Sequence, residues 1–275
     1  VASRAFVVGS RPPWPEGWHE AAPQPGAVPV KRGGWLALHG DGSIYATKGN
    51  KTYEFYQYFP RDDSWSRRAD YPMTPAGGRS RYPDKGSKGI SDGEMYIYST
   101  KGKNTQEFYK YNTLTDSWMA STDVPLGPSN KRVKGGTDFV WVPSDSLDAG
   151  QAYMLKGYRT EFYSYDPSFD LWTPLPDAPT GLKPKYDKGS WITFDGDDAI
   201  YCHKSKYYDR VNYVHEFYRY DISRDSWTTL NGMPLYGLHS GRIKKKKAKD
   251  GGAGAWSYAG IFALKGGNTQ QFWRY

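Results

Sequence analysis

Apolar positions along this 275-residue chain come in short runs separated by Asp, Gly, Asn and Pro. The runs are about 5–8 residues long, rich in β-branched and aromatic residues, and bounded by turn formers, which predicts strands rather than helices. One run pattern recurs. "YEFYQY" at 53–58 returns as "TQEFYKY", "RTEFYSY", "VHEFYRY" and, at the last residue, "TQQFWRY".

A longer unit surrounds each copy. It opens on a basic residue and glycine ("VKRGG", "DKGSKG", "RVKGG", "YDKGS", "KAKDGG") and continues with an apolar run and usually an Asp/Gly turn ("GDGS", "SDGE", "DGDD"). A second run ends in lysine ("IYATK", "IYSTK", "YMLK", "IYCHK", "IFALK"), and the aromatic line follows. A turn then leads to tryptophan ("PRDDSW", "NTLTDSW", "DPSFDLW", "DISRDSW"), and the unit closes on Pro72, Pro125, Pro179 or Pro234. Four such runs form a four-stranded antiparallel meander, strands a to d. The period of roughly 45–55 residues is that of a propeller blade.

In these residues the chain resembles the Kelch family, whose blades carry a glycine pair, a Tyr/Phe-rich third strand and a late Trp. The tandem Kelch-like repeats of bacterial secreted proteins look most similar. The glycine pair is clear at Gly33-Gly34, Gly135-Gly136 and Gly251-Gly252, and is replaced by "KGSKG" and "KGS" in the second and fourth units.

The expected fold is therefore all-β: a single-domain, five-bladed β-propeller of four-stranded antiparallel blades. The blades run over 27–75, 76–126, 127–180, 181–235, and 236–275 joined to 12–26. The last pairing rests on spacing. Trp follows the final Tyr of the line by seven residues at Tyr58/Trp65, Tyr111/Trp118, Tyr165/Trp172 and Tyr220/Trp227, and nothing follows Tyr275. Pro13 to Trp18 repeats the spacing of Pro60 to Trp65, with Glu16 in the place of Asp63. An N-terminal strand closing the last blade would remove the free sheet edges. Residues 1–11 are expected as a tail or an extra edge strand.

Composition adds an aromatic core, with 24 Tyr, 11 Trp and 11 Phe. No run of about 18 apolar residues suggests a membrane span. Cys202, alone, excludes an intramolecular disulfide framework. The chain opens at Val1 without a recognisable signal peptide, as a trimmed or mature form would. An extracellular or cell-surface setting is expected, with the cytoplasm left open.

The net charge of +8 gains meaning from topology. In a meander, d–a and b–c loops share one face, and these loops hold most of the basic residues. Lys31, Lys85, Lys134, Lys188 and Lys249, with Arg32, precede strand a and are expected to ring the channel mouth. Lys48, Lys101, Lys156, Lys204 and Lys265 end strand b. There Lys48, Lys101 and Lys156 face Glu54, Glu107 and Glu161 as cross-strand pairs, the kind that contributes ~0–1 kcal/mol when exposed; Lys204 is separated from Glu216 by an insertion, and Lys265 faces Gln271 instead. An insertion, "SKYYDRVNYV", breaks the repeat in the fourth unit and brings Tyr207 and Tyr208 to the same face. Acids of the a–b and c–d loops take the opposite face. The expectation is a non-catalytic binding or scaffold propeller whose basic face holds an anionic protein or acidic polysaccharide, with no cofactor. Stacking of basic on acidic face offers self-association as a structural subunit. Nucleic acid is disfavoured by the acidic face and the lack of a recognition motif.

Two enzyme readings compete. The resemblance to Kelch propellers brings copper-radical oxidases to mind, which need Tyr, Cys and two His together, and "YCHK" at 201–204 is the only match. Cys202 aligns with Ala46, Ser99, Met154 and Ala263, a buried strand position, and the five histidines have no metal-ligand spacing. A glycosidase would need carboxylates at the channel, where strand a offers Asp138 alone.

Overall fold

A computed structural model describes residues 20–73, 81–144 and 150–275. Its secondary structure is all strand. The first blade contains β1 (Gly33–Leu38), β2 (Ile44–Gly49), β3 (Phe55–Phe59) and β4 (Ser64–Arg68). The second contains β5 (Lys88–Ser91), β6 (Tyr96–Thr100), β7 (Phe108–Asn112) and β8 (Ser117–Ser121). The third contains β9 (Asp138–Val142), β10 (Gln151–Leu155), β11 (Phe162–Asp166) and β12 (Leu171–Leu175). The fourth contains β13 (Trp191–Phe194), β14 (Ala199–His203), β15 (Phe217–Asp221) and β16 (Ser226–Leu230). Each of these is a four-stranded antiparallel meander. A separate two-stranded ribbon, β17 (Tyr236–His239) and β18 (Arg242–Lys245), precedes the fifth blade, β19 (Ala253–Ser257), β20 (Gly260–Leu264) and β21 (Phe272–Arg274).

The first strands are innermost: β1 packs on β5, β5 on β9, β9 on β13 and β13 on β19. The repeated line is the third strand, and its chemistry explains its repetition. Phe55 meets Tyr111 and Trp118 of the next blade at 4.8 and 4.9 Å between ring centroids. Phe108 meets Tyr165 and Trp172 at 4.8 and 4.9 Å, and Phe162 meets Tyr220 and Trp227 at 4.9 and 5.0 Å. Buried aromatics in tilted or edge-to-face contact add ~0.5–1.5 kcal/mol per pair beyond their area.

The Tyr, the Asp of the c–d turn and the Trp form one clasp. Tyr58, Tyr111 and Tyr165 donate to Asp63, Asp116 and Asp170 at 2.6 Å each, and Tyr220 donates to Asp225. The aspartates sit at φ +45 to +51°, a left-handed turn position that Asp tolerates. Asp116 and Asp170 then accept the N–H of Ala69 and Thr122, just past the outer strand of the preceding blade. The indole N–H of Trp118, Trp172 and Trp227 donates to the carbonyls of Ala69, Thr122 and Pro176 at 2.9–3.0 Å. Blade 1 holds Ala22 in the same way: its N–H reaches Asp63 at 2.7 Å and its carbonyl accepts from Trp65 at 2.7 Å. Ala22 follows Trp18 by four residues, as Ala69 follows Trp65.

The expected closing strand, including Trp18, and the tail at 1–11 lie outside the described residues. Residues 20–25 carry no strand.

Candidate binding face

Five of the lysines expected on the basic face are not there. Lys48, Lys101, Lys156, Lys204 and Lys265 are buried, with side chains at 0–1% exposure. The b–c hairpin is capped by the d–a loop that enters the blade, so the lysine at the end of strand b points into protein. Lys156 Nζ donates to the carbonyls of Pro125 and Leu126 at 2.7 Å each. Lys204 donates to Thr180 at 2.5 Å, and Lys265 to Pro234 and Leu235 at 2.7 and 2.9 Å. At Pro125, Pro179 and Pro234 the loop that closes a unit thus lends its carbonyls to the next blade's lysine.

Four of the lysines keep their carboxylates: Lys48–Glu54 at 3.5 Å, Lys101–Glu107 at 2.5 Å, Lys156–Glu161 at 3.2 Å and Lys204–Glu216 at 3.5 Å. Glu107 and Glu216 also accept Tyr109 and Tyr218 hydroxyls at 2.7 Å. Glu161 and Glu216 accept the loop N–H groups of Ser129 and Leu182. Burial pulls Lys101, Lys156 and Lys204 below the ordinary lysine range, opposed by these glutamates. These are structural staples between hairpin and loop.

The channel-mouth group is accessible. Lys31, Arg32 and Lys249 are exposed, and Lys85, Lys134 and Lys188 are half-buried. Interblade pairs neutralise part of it, with Arg32–Asp84 at 3.8 Å and Lys188–Asp250 at 3.0 Å. Lys31, Lys85, Lys134 and Lys249 have no ion pair among the described residues. Asp138 is tied up as well, 3.1 Å from Lys88 and accepting the Ile192 N–H at 3.2 Å.

The densest positive surface lies between blades 4 and 5. The insertion at 205–214 folds against the ribbon: Leu235 N–H donates to Tyr213 O at 2.8 Å, and Lys206 N–H to Ala248 O at 2.9 Å. His215 is the rivet. Its Nε2 accepts the Ala248 N–H at 2.9 Å, which leaves Nδ1 to donate to Tyr207 O at 2.7 Å. Burial pulls its pKa down to about 4, keeping the ring neutral.

On this frame Lys245 Nζ stands 4.8 Å from the Tyr213 ring and 5.1 Å from Tyr208, and Lys247 stands 5.1 Å from Tyr208. Lys206 lies 5.8 Å from Tyr207, 2.7 Å from Asp187. Arg242, Lys244, Lys245 and Lys247 are exposed beside them. Tyr207 and Tyr208, both half-buried, lie beside these lysines. Sequence reasoning did not single out Lys244–Lys247, and missed Tyr213 and Tyr236, whose ring centroids stand 5.6 Å apart. The signal was the alternation of "YGLHSGRIKK" about a Ser-Gly turn, which reads as a hairpin.

Cys202 packs beside Tyr186 at 0% exposure, and burial drives its thiol pKa upward. Among the described residues no three His, Cys, Asp or Glu side chains converge as metal ligands would.

No family model matches the chain. It is 29% identical over 158 residues to a Kelch-like protein, terF, of Aspergillus terreus (strain NIH 2624 / FGSC A1156). The match covers 55% of this chain and 31% of the relative. It is a homologue of a Kelch-like protein, built as a β-propeller. The chain spans about a third of that relative's length. Among solved structures, the one titled "Structure of YjhT" superposes with a TM-score of 0.56 at 17% identity, covering 86% of this chain and 72% of that one. The likeness is one of fold. No helix is long and apolar enough to cross a membrane among the described residues.

Proposed function

We propose that this propeller is a non-catalytic binding module that holds an anionic partner, an acidic polysaccharide or protein, on the tyrosine–lysine ledge between blades 4 and 5. The observation that carries this reading is the pairing of Lys245 and Lys247 with Tyr208 and Tyr213 on a surface where Arg242 and Lys244 are exposed. Cations and aromatic rings stand together on one surface. The rings offer stacking area to a sugar, and the ammonium groups offer charge to its carboxylates or sulfates. Lys31, Lys85, Lys134 and Lys249 extend the positive potential toward the channel and favour encounter. An extracellular or cell-surface setting suits such a ligand.

The test is binding of a sulfated polysaccharide, with neutral dextran as control, at low and high salt. The parent chain is expected to bind the sulfated polymer at low salt and release it as salt screens the contact. A variant carrying Lys244→Glu, Lys245→Glu and Lys247→Glu is expected to lose binding, while Lys131→Glu with Arg132→Glu retains it. Absence of binding to sulfated polysaccharide and to polyglutamate at low salt, or equal loss in both variants, refutes the proposal.

A further inference from the structure

The ribbon of β17 and β18 belongs to no blade, and among the described residues β18 has no strand beside it except β17. Turn chemistry sets its form. Ser240 and Gly241 sit at φ +51° and +73°, as a two-residue type I′ hairpin loop requires. Cross-strand partners share a face, so Tyr236, Lys245, Leu238 and Ile243 point to one side, and Gly237, Lys244, His239 and Arg242 to the other. The second side lies over blade 5 at β17, where a side chain at Gly237 would strike Gln271 and the Trp273 ring. β18 stands clear of the blade, with all four of its residues exposed.

The first side is apolar beyond its base. Tyr236 meets Tyr213 edge-on at 5.6 Å, and past it Leu238 and Ile243, opposite each other, are 63% and 69% exposed. The charge around them has one sign: Arg242, Lys244 and Lys245 are exposed, and residues 236–249 contain no acid.

The outer edge also has a defined hydrogen-bonding side. A turn of this type directs the Arg242 N–H to the His239 carbonyl. Alternation along the strand then turns the Lys244 amide toward β17 and those of Ile243 and Lys245 outward.

Such an edge chooses its partner. Its cations repel a second copy of itself. A strand laid beside it needs carboxylates opposite Arg242 and Lys244, and an apolar side chain opposite Ile243. A sugar polymer supplies the first and not the second. A lipid surface would meet the hairpin tip first, and the tip is polar, Ser240-Gly241 between His239 and Arg242.

We propose that β18 is a docking edge for an acidic protein segment, which adds to the ribbon as a third strand, its carboxylates on Arg242 and Lys244 and its apolar side chains over Ile243 and Leu238. This rests on the reading of the ledge as an anion-binding surface, and it names the partner as protein. Lys245 and Lys247, beside Tyr208 and Tyr213, take the charges that continue past the strand.

The test immobilises the 275-residue protein and compares a short peptide alternating glutamate and leucine with polyglutamate of equal charge, a sulfated polysaccharide and vesicles of anionic phospholipid. The alternating peptide is expected to bind about tenfold more tightly than polyglutamate and to lose less affinity at high salt. Leu238→Thr with Ile243→Thr keeps strand propensity. It is expected to erase that advantage and to leave binding of the sulfated polysaccharide unchanged. N-methylation of one alternate set of peptide amides should abolish binding, and of the other set spare it, because only every second amide of a strand faces its neighbour. Equal affinity for the alternating peptide and polyglutamate, or an advantage that survives in the threonine variant, overturns the docking edge and leaves the anionic-ligand reading standing. Binding that both methylated peptides keep, or both lose, does the same. Vesicles bound more tightly than the peptide, with loss in the threonine variant, assign the strip to lipid and overturn it too. Absence of binding to every anionic probe overturns both readings.

Discussion

Lys265 is the one stapling lysine without a carboxylate, and that difference has a measurable consequence. Its Nζ is surrounded by neutral acceptors: Pro234 O at 2.7 Å, Leu235 O at 2.9 Å and Gln271 Oε1 at 2.8 Å. Trp273 stands at the position of Tyr109 and Tyr218, which hold the glutamate in blades 2 and 4, and its ring lies 5.4 Å from the ammonium. Burial, with no anion to oppose it, pulls Lys265 down to about 8 from 10.5. A lysine whose folded pKa is depressed destabilises the fold while protonated. Below pH 8 both states carry the proton and the penalty is complete. Between pH 8 and 10.5 the unfolded chain binds the proton and the folded one does not, so stability rises with pH. The full shift is worth about 3 kcal/mol. Gln271→Glu restores the arrangement of the other four blades. It is expected to lift the Lys265 pKa, to stabilise the protein by roughly 2 kcal/mol at neutral pH through a charge-assisted bond, and to flatten the rise. The assay is urea unfolding followed by tryptophan fluorescence, for parent and variant, from neutral pH to about 9.5. Tyrosine titration affects both proteins alike and cancels in the difference. If the two stabilities rise in parallel with pH, or the variant is weaker at pH 7, the account of Lys265 is wrong.

Four other outcomes follow from the same geometry. Lys156→Met strands Glu161 and is expected to cost about 3–5 kcal/mol, whereas adding Glu161→Gln recovers much of that loss; denaturant melts of the two variants check it. Asp116→Ala removes the acceptor for Tyr111 and for Ala69 N–H, at about 1–3 kcal/mol. Asp225→Ala should cost less in the same melts, because its partner position is Pro176, which has no N–H to lose. His203 and His215 are held neutral by burial. Their depressed pKa values mean that stability is lost as pH falls below the unfolded histidine value, for His215 down to about 4, and His215→Gln should blunt that acid loss in a pH series of thermal melts. Phe108→Ala should cost about 3–5 kcal/mol, while Phe272→Ala in this 275-residue chain should lower the melting temperature far less.

The period, the strand boundaries and the inter-blade role of Phe and Trp could be read from the sequence because each is local: a run of apolar residues bounded by turn formers states its own conformation. The fate of the charges could not. Lys156 and Glu161 are five residues apart across a hairpin, and local spacing shows them as an exposed cross-strand pair. What buries them is the loop at Pro125 and Leu126, some thirty residues earlier in the chain, whose carbonyls arrive only when the blades assemble. The c–d aspartates have a structural role that local spacing hides for the same reason. Asp116 and Asp170 stay at the rim, and the fold also uses them to hold Tyr111, Tyr165 and the backbone of the neighbouring blade.

This sorting bears on function. A charge that recurs in every blade is what assembly of identical units requires, because each junction must satisfy the same buried groups. The recurring lysines at the end of the second strand are therefore the poorest guide to a ligand, even though recurrence made them conspicuous. The residues that depart from the repeat are better placed. The insertion at 205–214 and the ribbon at 236–245 satisfy no repeated junction. Between them they set four tyrosines and a run of lysines on one ledge, held by a neutral histidine that is buried under it. Side chains free of the packing problem are the ones that can be committed to a partner, and here they cluster on blade 4 and its border with blade 5.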